Sequence, residues 1–178
     1  MIITQSLKRA VTWMIHYYFG SGKGKTSAAV GALIRAAGSG MRCAMVQFLK
    51  NGTSSEIPVL KNCGIDVFAC GFEGVRFFGQ MNRTEQEAVI QTHNENLRRI
   101  LSDNYRMIVL DELSDAVMKH AAEPELVAAV LALPDTELII TGHKRAEMFI
   151  QCADYITEFQ CIAHPFRNGV PARKGIEF

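Results

Sequence analysis

Short apolar segments alternate with longer amphipathic segments along most of the chain. Apolar, β-prone runs of about four to eight residues are typical of strands that a sheet buries on both faces. The pattern therefore predicts strands at about Thr12–Phe19, Arg42–Leu49, Ile65–Ala69, Met107–Leu110, Glu137–Thr141 and Tyr155–Phe159.

The amphipathic segments predict helices between these strands. One helix covers about Lys25–Ala37 and ends at Gly38-Ser39-Gly40, because glycine commonly terminates a helix. A longer helix, for which Asn82 or Thr84 can supply the N-terminal cap, runs to about Ser102. Strands and helices alternate, so we expect an α/β fold with a doubly wound, mostly parallel sheet.

Two stretches show neither the apolar runs typical of strands nor the amphipathic pattern typical of helices. Residues 51–58 and the stretch 71–80, which is rich in glycine and phenylalanine, are predicted to be loops. The 178 residues suffice for one ordinary domain, so we expect a single domain spanning 1–178. Residues 1–12 form a short lead-in, and residues 160–178 form a tail that we expect to pack on the body, since it ends with apolar residues.

The composition narrows the class of protein. The net charge is +1, from 19 basic and 18 acidic residues that are well mixed, which argues against a protein that coats nucleic acid or binds a membrane surface. The five cysteines are odd in number and lack Cys-x-x-Cys spacing, which favours reduced thiols. The apolar runs are too short to span a bilayer and the N-terminus lacks signal-peptide features, so we expect a cytoplasmic protein.

The strongest motif lies between the first strand and the first helix and reads Gly20-Ser21-Gly22-Lys23-Gly24-Lys25-Thr26-Ser27. Alternating glycines let backbone N–H groups turn inward, and the helix N-terminus adds positive potential, so the segment is predicted to bind phosphates. Lys25 would reach phosphate oxygens, and the Thr26 hydroxyl would bind Mg²⁺. A flexible linker is the alternative, but a linker has no strand before it and no helix after it.

The loop departs from the common phosphate-binding pattern at one position. That pattern has a glycine seven residues before the threonine, where this chain has Phe19. We therefore expect the loop to enter its turn differently from the loop of an ordinary nucleotide triphosphatase.

A second motif consists of the carboxylates Asp111 and Glu112 at the end of an apolar strand. The carboxyl ends of parallel strands meet at one edge of the sheet, so both acids are predicted to face Lys25 and Thr26. One acid can hold Mg²⁺, directly or through water, and the other can lie near the reacting phosphate or nucleophile. A later strand also ends at this edge. There, Thr141, His143 or Lys144 is predicted to contact a phosphate, and a solvated turn after the strand is the alternative.

Other candidates have simpler interpretations. Phenylalanines are more often core residues than cofactor walls, and this applies to Phe68, Phe72, Phe77 and Phe78. His16 lies on an apolar strand and is predicted to be a hydrogen-bonded core residue. His93 and His120 are predicted to lie on the surface.

Several segments together resemble a known family in order and spacing. They are Gly20–Ser27, Arg35–Gly40, Val46–Lys50, Gly71-Phe72, Val109–Glu112, Thr141-Gly142, Ala153–Glu158 and the tail from His164-Pro165-Phe166 to Gly175-Ile176-Glu177. The resemblance is to the phosphate-loop type of ATP:corrinoid (cob(I)alamin) adenosyltransferases. It covers nearly all of the chain beyond about residue 14.

The resemblance implies a P-loop NTPase fold with a RecA-like sheet, usually a homodimer, and transfer of the 5′-deoxyadenosyl group of ATP to the Co(I) centre of a corrinoid. Triphosphate is the leaving group, and Mg²⁺ or Mn²⁺ is the metal. Residues 20–27 would hold the ATP phosphates, Lys25, Thr26 and Glu112 would be catalytic, and Thr26, Asp111 and Glu112 would hold the metal. A reductase or flavoprotein would supply the electron that forms Co(I).

Phe72 occupies the position that the family uses as an apolar wall against the corrinoid. The family commonly reads Gly-Phe-Thr-Trp where this chain has Gly71-Phe72-Glu73-Gly74, so Phe77 or Phe78 is a candidate substitute for the missing aromatic residue. Two other functions stay open from the residues. One is a diverged ATPase or small-molecule kinase in which Glu112 activates water or a hydroxyl, and the other is a non-catalytic ATP-binding regulator.

Overall fold

The computed structural model of the protein describes residues 13–71 and 77–176. The strands are β1 (Ile15–Phe19), β2 (Cys43–Gln47), β3 (Asp66–Ala69), β4 (Met107–Asp111), β5 (Glu137–Gly142) and β6 (Tyr155–Glu158). The helices are α1 (Lys25–Gly38), α2 (Glu56–Asn62), α3 (Arg83–Leu101), α4 (Leu113–Met118), α5 (Pro124–Leu131) and α6 (Glu147–Cys152). Short 3₁₀ turns lie at Phe78–Gln80 and Pro165–Asn168.

The six strands form one sheet in the order β3-β2-β4-β5-β1-β6. Every pair of neighbours is parallel, which confirms the predicted α/β class. Because the strands are parallel, the phosphate loop after β1 and the two carboxylates at the end of β4 reach the same edge of the sheet. Strand β5 lies between β1 and β4, so only its carboxyl end separates them.

Each face of the sheet packs against helices. Alternate residues of β4 contribute to opposite sides: Ile108 and Leu110 pack in a cluster with residues of α3 and α5, whereas Met107 and Val109 pack in a cluster with residues of α1. All five residues of β4 are buried. The doubly wound arrangement expected from near-continuous apolar strands is confirmed.

Two strands differ from their predicted bounds by two or more residues at one end. β1 begins at Ile15, not at Thr12, and β2 ends at Gln47, not at Leu49. Leu49 has φ 58°, a left-handed backbone conformation that a strand cannot contain. The chain therefore turns away from the sheet directly after Phe48.

The interpretation of residues 51–58 as a loop was wrong at its end, because α2 begins at Glu56. Pro58 lies in the first turn of α2, where a missing N–H costs no intrahelical hydrogen bond. The prediction placed this proline at the end of the loop. Helices α4, α5 and α6 were not predicted, since six to eight residues span only about two turns and show little period.

Helix α3 has the predicted cap. The Asn82 side chain accepts a hydrogen bond from the Glu85 N–H at 3.0 Å, and the Glu85 carboxylate accepts one from the Asn82 N–H at 2.9 Å. The prediction that His93 lies on the surface was wrong, since its exposed fraction is 0 %. His93 faces both the end of β2 and the segment after α4, so this side of α3 is covered. His120 is exposed, as predicted.

The tail and the ends of the chain are only partly described. The lead-in 1–12, residues 72–76 and residues 177–178 lie outside the described residues. Within the tail, Ile162 and Phe166 are 90 % and 74 % exposed, and the Lys23 ammonium donates a hydrogen bond to the Ile176 carbonyl at 2.6 Å. That the tail packs on the body stays a prediction. In the described ranges, no helix is long and apolar enough to cross a membrane.

Candidate active site

The phosphate loop packs against the backbone that follows β6. The Gly22 N–H donates to the Phe159 carbonyl at 2.6 Å, and the Gly20 N–H donates to the Gly142 carbonyl at 3.2 Å. A Cβ atom added to Gly22 would lie 2.7 Å from that Phe159 oxygen, closer than real side chains allow. The glycine thus permits an approach between loop and sheet that a larger residue would prevent.

Lys25 begins α1 and is 9 % exposed. Its ammonium donates hydrogen bonds to the carbonyls of Gly20 at 2.7 Å and Gly22 at 2.8 Å. Burial lowers the pKa of Lys25, although the nearby carboxylates of Glu112 and others act in the opposite direction. The positive charge of Lys25 is therefore held inside the loop. The oxygens of a bound phosphate would compete with the Gly20 and Gly22 carbonyls for its hydrogen bonds.

The other loop residues differ in exposure. Ser21, Lys23 and Ser27 are exposed, whereas Gly20 and Gly22 are buried and Gly24 is half-buried. Gly24 precedes α1 with φ 114°, a left-handed conformation that favours glycine. The buried glycines face the body of the protein, and the polar side chains face outward.

Asp111 is fully buried and binds three side chains. Its Oδ1 accepts hydrogen bonds from the hydroxyls of Thr26 at 2.9 Å and Thr141 at 2.8 Å. Its Oδ2 pairs with the Lys50 ammonium at 2.5 Å. Of the two predicted carboxylates, Asp111 therefore contacts Thr26.

Glu112 lies at the first position after β4 and has φ 63°. Its N–H donates to the Thr141 hydroxyl at 2.9 Å, which turns the chain sharply into α4. Burial raises the pKa of Glu112, while Lys50, 3.7 Å from its Oε1, acts to lower it. The carboxylate is thus drawn toward the same cation as Asp111.

Lys50 was not predicted as a site residue. Asp111 and Glu112 outweigh the effect of burial, which alone would lower the pKa of Lys50, and the net shift is upward. Its backbone position depends on Leu49, whose N–H donates to His93 Nε2 at 3.0 Å. A lysine shortly after a buried strand was the available signal, because such a position lies at the edge where β4 also ends.

Gln47 was also not singled out. It is fully buried at the end of β2, and its Nε2 donates to the Glu56 carboxylate at 2.9 Å. Its Oε1 has no hydrogen-bond partner among the described residues. A buried polar atom of this kind usually has a partner, so this edge of the sheet is suited to polar ligands.

His143 and Asp115 form a pair beside the loop. Asp115 Oδ2 accepts hydrogen bonds from the His143 backbone N–H at 2.7 Å and from the ring Nδ1 at 3.1 Å. Of the three residues predicted at the end of β5, Thr141 binds Asp111 and His143 binds Asp115. The Lys144 carbonyl accepts a hydrogen bond from the Tyr17 hydroxyl at 2.8 Å.

The donor atoms suit Mg²⁺. The hydroxyl of Thr26 and the carboxylates of Asp111 and Glu112 offer oxygen, the donor that Mg²⁺ prefers. Within residues 13–71 and 77–176, no three His, Cys, Asp or Glu side chains converge as a complete metal cage. This arrangement fits a cation that takes its remaining ligands from phosphates and water.

The predicted corrinoid contact, Phe72, lies outside the described residues. Of its two candidate substitutes, Phe78 is buried at 9 % exposure and Phe77 is 76 % exposed. Phe77 therefore has the accessible ring, and Phe78 belongs to the core, where it was also expected on burial statistics.

Comparison with known proteins decides the family. The model of the family described as ATP:corrinoid adenosyltransferase BtuR/CobO/CobP matches residues 12–178. The chain belongs to this family. The expected P-loop NTPase-like fold agrees with the all-parallel sheet.

Curated relatives support the assignment. A Corrinoid adenosyltransferase of Sinorhizobium sp is 33 % identical over 169 residues, which cover 89 % of this chain and 77 % of the relative. The Corrinoid adenosyltransferase of Escherichia coli K12 is 33 % identical over 172 residues, covering 93 % of this chain and 85 % of the relative. The Corrinoid adenosyltransferase CobA of Salmonella typhimurium LT2 is 34 % identical with the same coverage.

Proposed function

We propose that the protein transfers the 5′-deoxyadenosyl group of ATP to the Co(I) centre of a corrinoid and releases triphosphate. One observation carries this proposal. A phosphate loop with a buried lysine, joined through Thr26 to the carboxylate of Asp111 at 2.9 Å, occurs in a chain that belongs to the corrinoid adenosyltransferase family.

The reaction explains why the site is built around phosphate binding. The Co(I) electron pair attacks the ribose C5′, the C5′–O bond breaks, and triphosphate leaves with the bonding electrons. No side chain has to act as a nucleophile. Lys25 and the loop N–H groups other than those of Gly20 and Gly22, which donate to backbone carbonyls, stabilise the negative charge that develops on the leaving oxygen, a preorganised electrostatic role.

Thr26, Asp111 and Glu112 would hold Mg²⁺ or Mn²⁺, which would neutralise triphosphate charge. Lys50 now pairs with both carboxylates. A metal bound at Asp111 would compete with the Lys50 ammonium for this carboxylate. The Thr141 hydroxyl would help to hold Asp111 Oδ1 in place.

The corrinoid side of the site and the assembly rest on the family resemblance. Phe72 would contact the corrinoid, a reductase or flavoprotein would supply the electron, and the protein would act in the cytoplasm. We further propose a homodimer. Sedimentation equilibrium tests it, because a dimer has twice the 19.7 kDa mass of the chain, and a single 19.7 kDa species at micromolar concentration would contradict it.

The function is tested by an anaerobic reaction of the protein with chemically reduced cob(I)alamin, ATP and Mg²⁺. The absorbance spectrum should change to that of adenosylcobalamin, and the rate of this change should be proportional to the enzyme concentration. If no adenosylcobalamin spectrum appeared while ATP was consumed, the ATPase or kinase alternative would replace this proposal. ATP binding with neither product would indicate the non-catalytic regulator.

A further inference from the structure

The end of β5 carries a histidine to which the reaction above assigns no role. His143 follows Gly142, whose carbonyl accepts a hydrogen bond from the Gly20 N–H of the phosphate loop at 3.2 Å. Strand β5 lies between β1, which leads into the loop, and β4, which delivers the carboxylates. The His143 side chain is 57 % exposed, and the charges of Glu112 and Lys25 both act on its ring.

Asp115 fixes the orientation of this imidazole. The carboxylate is nearly buried on α4, with 11 % of its side chain exposed. One oxygen, Oδ2, binds both the backbone N–H of His143 and the ring Nδ1. Because Nδ1 is engaged, Nε2 is the ring nitrogen left for a ligand, and it has no hydrogen-bond partner among residues 13–71 and 77–176.

The surrounding charges favour a protonated ring. The hydrogen bond to Asp115 is the main cause of a raised pKa of His143, partial burial opposes it, Glu112 adds to it, and Lys25 opposes it. Hydrogen bonds from His143 outweigh burial and lower the pKa of Asp115. Both shifts favour the imidazolium–carboxylate form of the pair, in which Nε2 also carries a proton that it can donate.

We propose that His143, oriented by Asp115, donates a hydrogen bond from Nε2 to a phosphate oxygen of the bound nucleotide. Asp115 is a positioning residue, because it acts only through the imidazole. The proposal rests on the nucleotide-binding part of the proposed function and does not depend on adenosyl transfer. A purely structural role for the pair would require Nδ1 alone and would leave Nε2 without an effect on binding.

The variant His143→Asn separates these two roles. The asparagine amide can occupy the place of Nδ1 and keep the hydrogen bond to Asp115, but it has no atom at the place of Nε2. Calorimetry with ATP and with inorganic triphosphate, both with Mg²⁺, should show Kd values raised about tenfold or more, the usual effect of losing a hydrogen bond to a charged group. Adenosine should bind as it does to the wild type.

His120→Asn is the matched control, since His120 is exposed, has a left-handed backbone that suits asparagine, and lies outside the site. His143→Arg tests the charge. The Kd of His143→Arg for ATP should lie closer to that of the wild type than the Kd of His143→Asn does. The ATP affinity of His143→Arg should change less with rising pH than that of the wild type, whose imidazole loses its proton while the guanidinium keeps its charge.

Asp115→Ala tests the positioning role. Its ATP affinity should fall, and NMR titration should show a His143 pKa below that of the wild type, a shift that loss of packing alone would not cause. If His143→Asn bound ATP and triphosphate as tightly as the wild type, the phosphate contact would be refuted. If that variant lost affinity while the wild type formed no adenosylcobalamin, the contact would be supported and the transfer activity refuted.

Discussion

At the scale of single residues, Lys25 holds a positive charge with little access to solvent. Its ammonium is held by the Gly20 and Gly22 carbonyls, so the charge is in place before a nucleotide binds. Lys25→Met should lower the rate of adenosyl transfer about 100-fold or more, because preorganised charge acts on the leaving group. Steady-state kinetics with saturating ATP measures this.

Lys61→Met is the matched control for that substitution, since Lys61 is exposed on α2 and lies outside the site. Its rate should equal that of the wild type. A Lys25→Met protein that is folded by circular dichroism and transfers adenosyl at the wild-type rate would show that the leaving triphosphate does not depend on this charge.

His93 is the buried titratable residue that links three segments. Its Nδ1 donates to the Ala121 carbonyl at 2.7 Å, and its Nε2 accepts from the Leu49 N–H at 3.0 Å. Burial lowers the pKa of His93 from 6.5 to about 4. The folded state therefore resists protonation that the unfolded state accepts.

Because the unfolded state binds this proton more readily, stability should fall as the pH drops from about 6.5 toward about 4. Between pH 7 and pH 5 the contribution of His93 amounts to about 2 kcal/mol. Urea unfolding of His93→Gln should show a pH dependence reduced by about that amount, whereas His120→Gln should keep the dependence of the wild type. An unchanged slope in His93→Gln would contradict the assignment.

At the scale of elements, the contact between the phosphate loop and the end of β6 leaves no room for a side chain. A Cβ at Gly22 would lie 2.7 Å from the Phe159 carbonyl oxygen and 2.8 Å from that of Gln160. Both are backbone atoms that cannot rotate away. Gly22→Ala should therefore displace the loop, weaken ATP binding at least tenfold and lower the melting temperature.

Gly31→Ala is the internal comparison for this substitution. Gly31 lies within α1, and a Cβ there would meet nothing within 4 Å. Alanine favours the helix by about 0.5–1 kcal/mol over glycine. This variant should melt at a higher temperature with unchanged ATP affinity. Wild-type ATP affinity in Gly22→Ala would show that the loop does not depend on its contact with Phe159.

Local patterns predicted much of the fold and the phosphate-binding part of the site. The loop and the pair Asp111-Glu112 are contiguous motifs, and apolar runs marked every strand of the sheet. Residues that depend on distant partners were not found, because single-sequence periodicity says nothing about pairing. His93 binds Leu49 from 44 positions away, and Lys50 binds Asp111 from 61 positions away.

At the scale of the whole molecule, the strand order brings three separate signals to one edge of the sheet. The loop follows β1, the carboxylates end β4, and β5 contacts both of them: the Gly142 carbonyl accepts from the Gly20 N–H of the loop, and Thr141 binds Asp111 and the Glu112 N–H. Such an edge can serve attack at phosphorus or attack at the ribose carbon. What distinguishes the two reactions is the phosphorus product.

The most direct test is therefore a phosphorus NMR spectrum of the anaerobic reaction of wild-type protein with cob(I)alamin, ATP and Mg²⁺. Attack at C5′ leaves all three phosphates joined, so inorganic triphosphate should appear in amounts equal to the adenosylcobalamin formed. Orthophosphate or diphosphate accumulating beside unchanged cobalamin would mean that phosphorus is attacked, and would contradict adenosyl transfer as the function of this site.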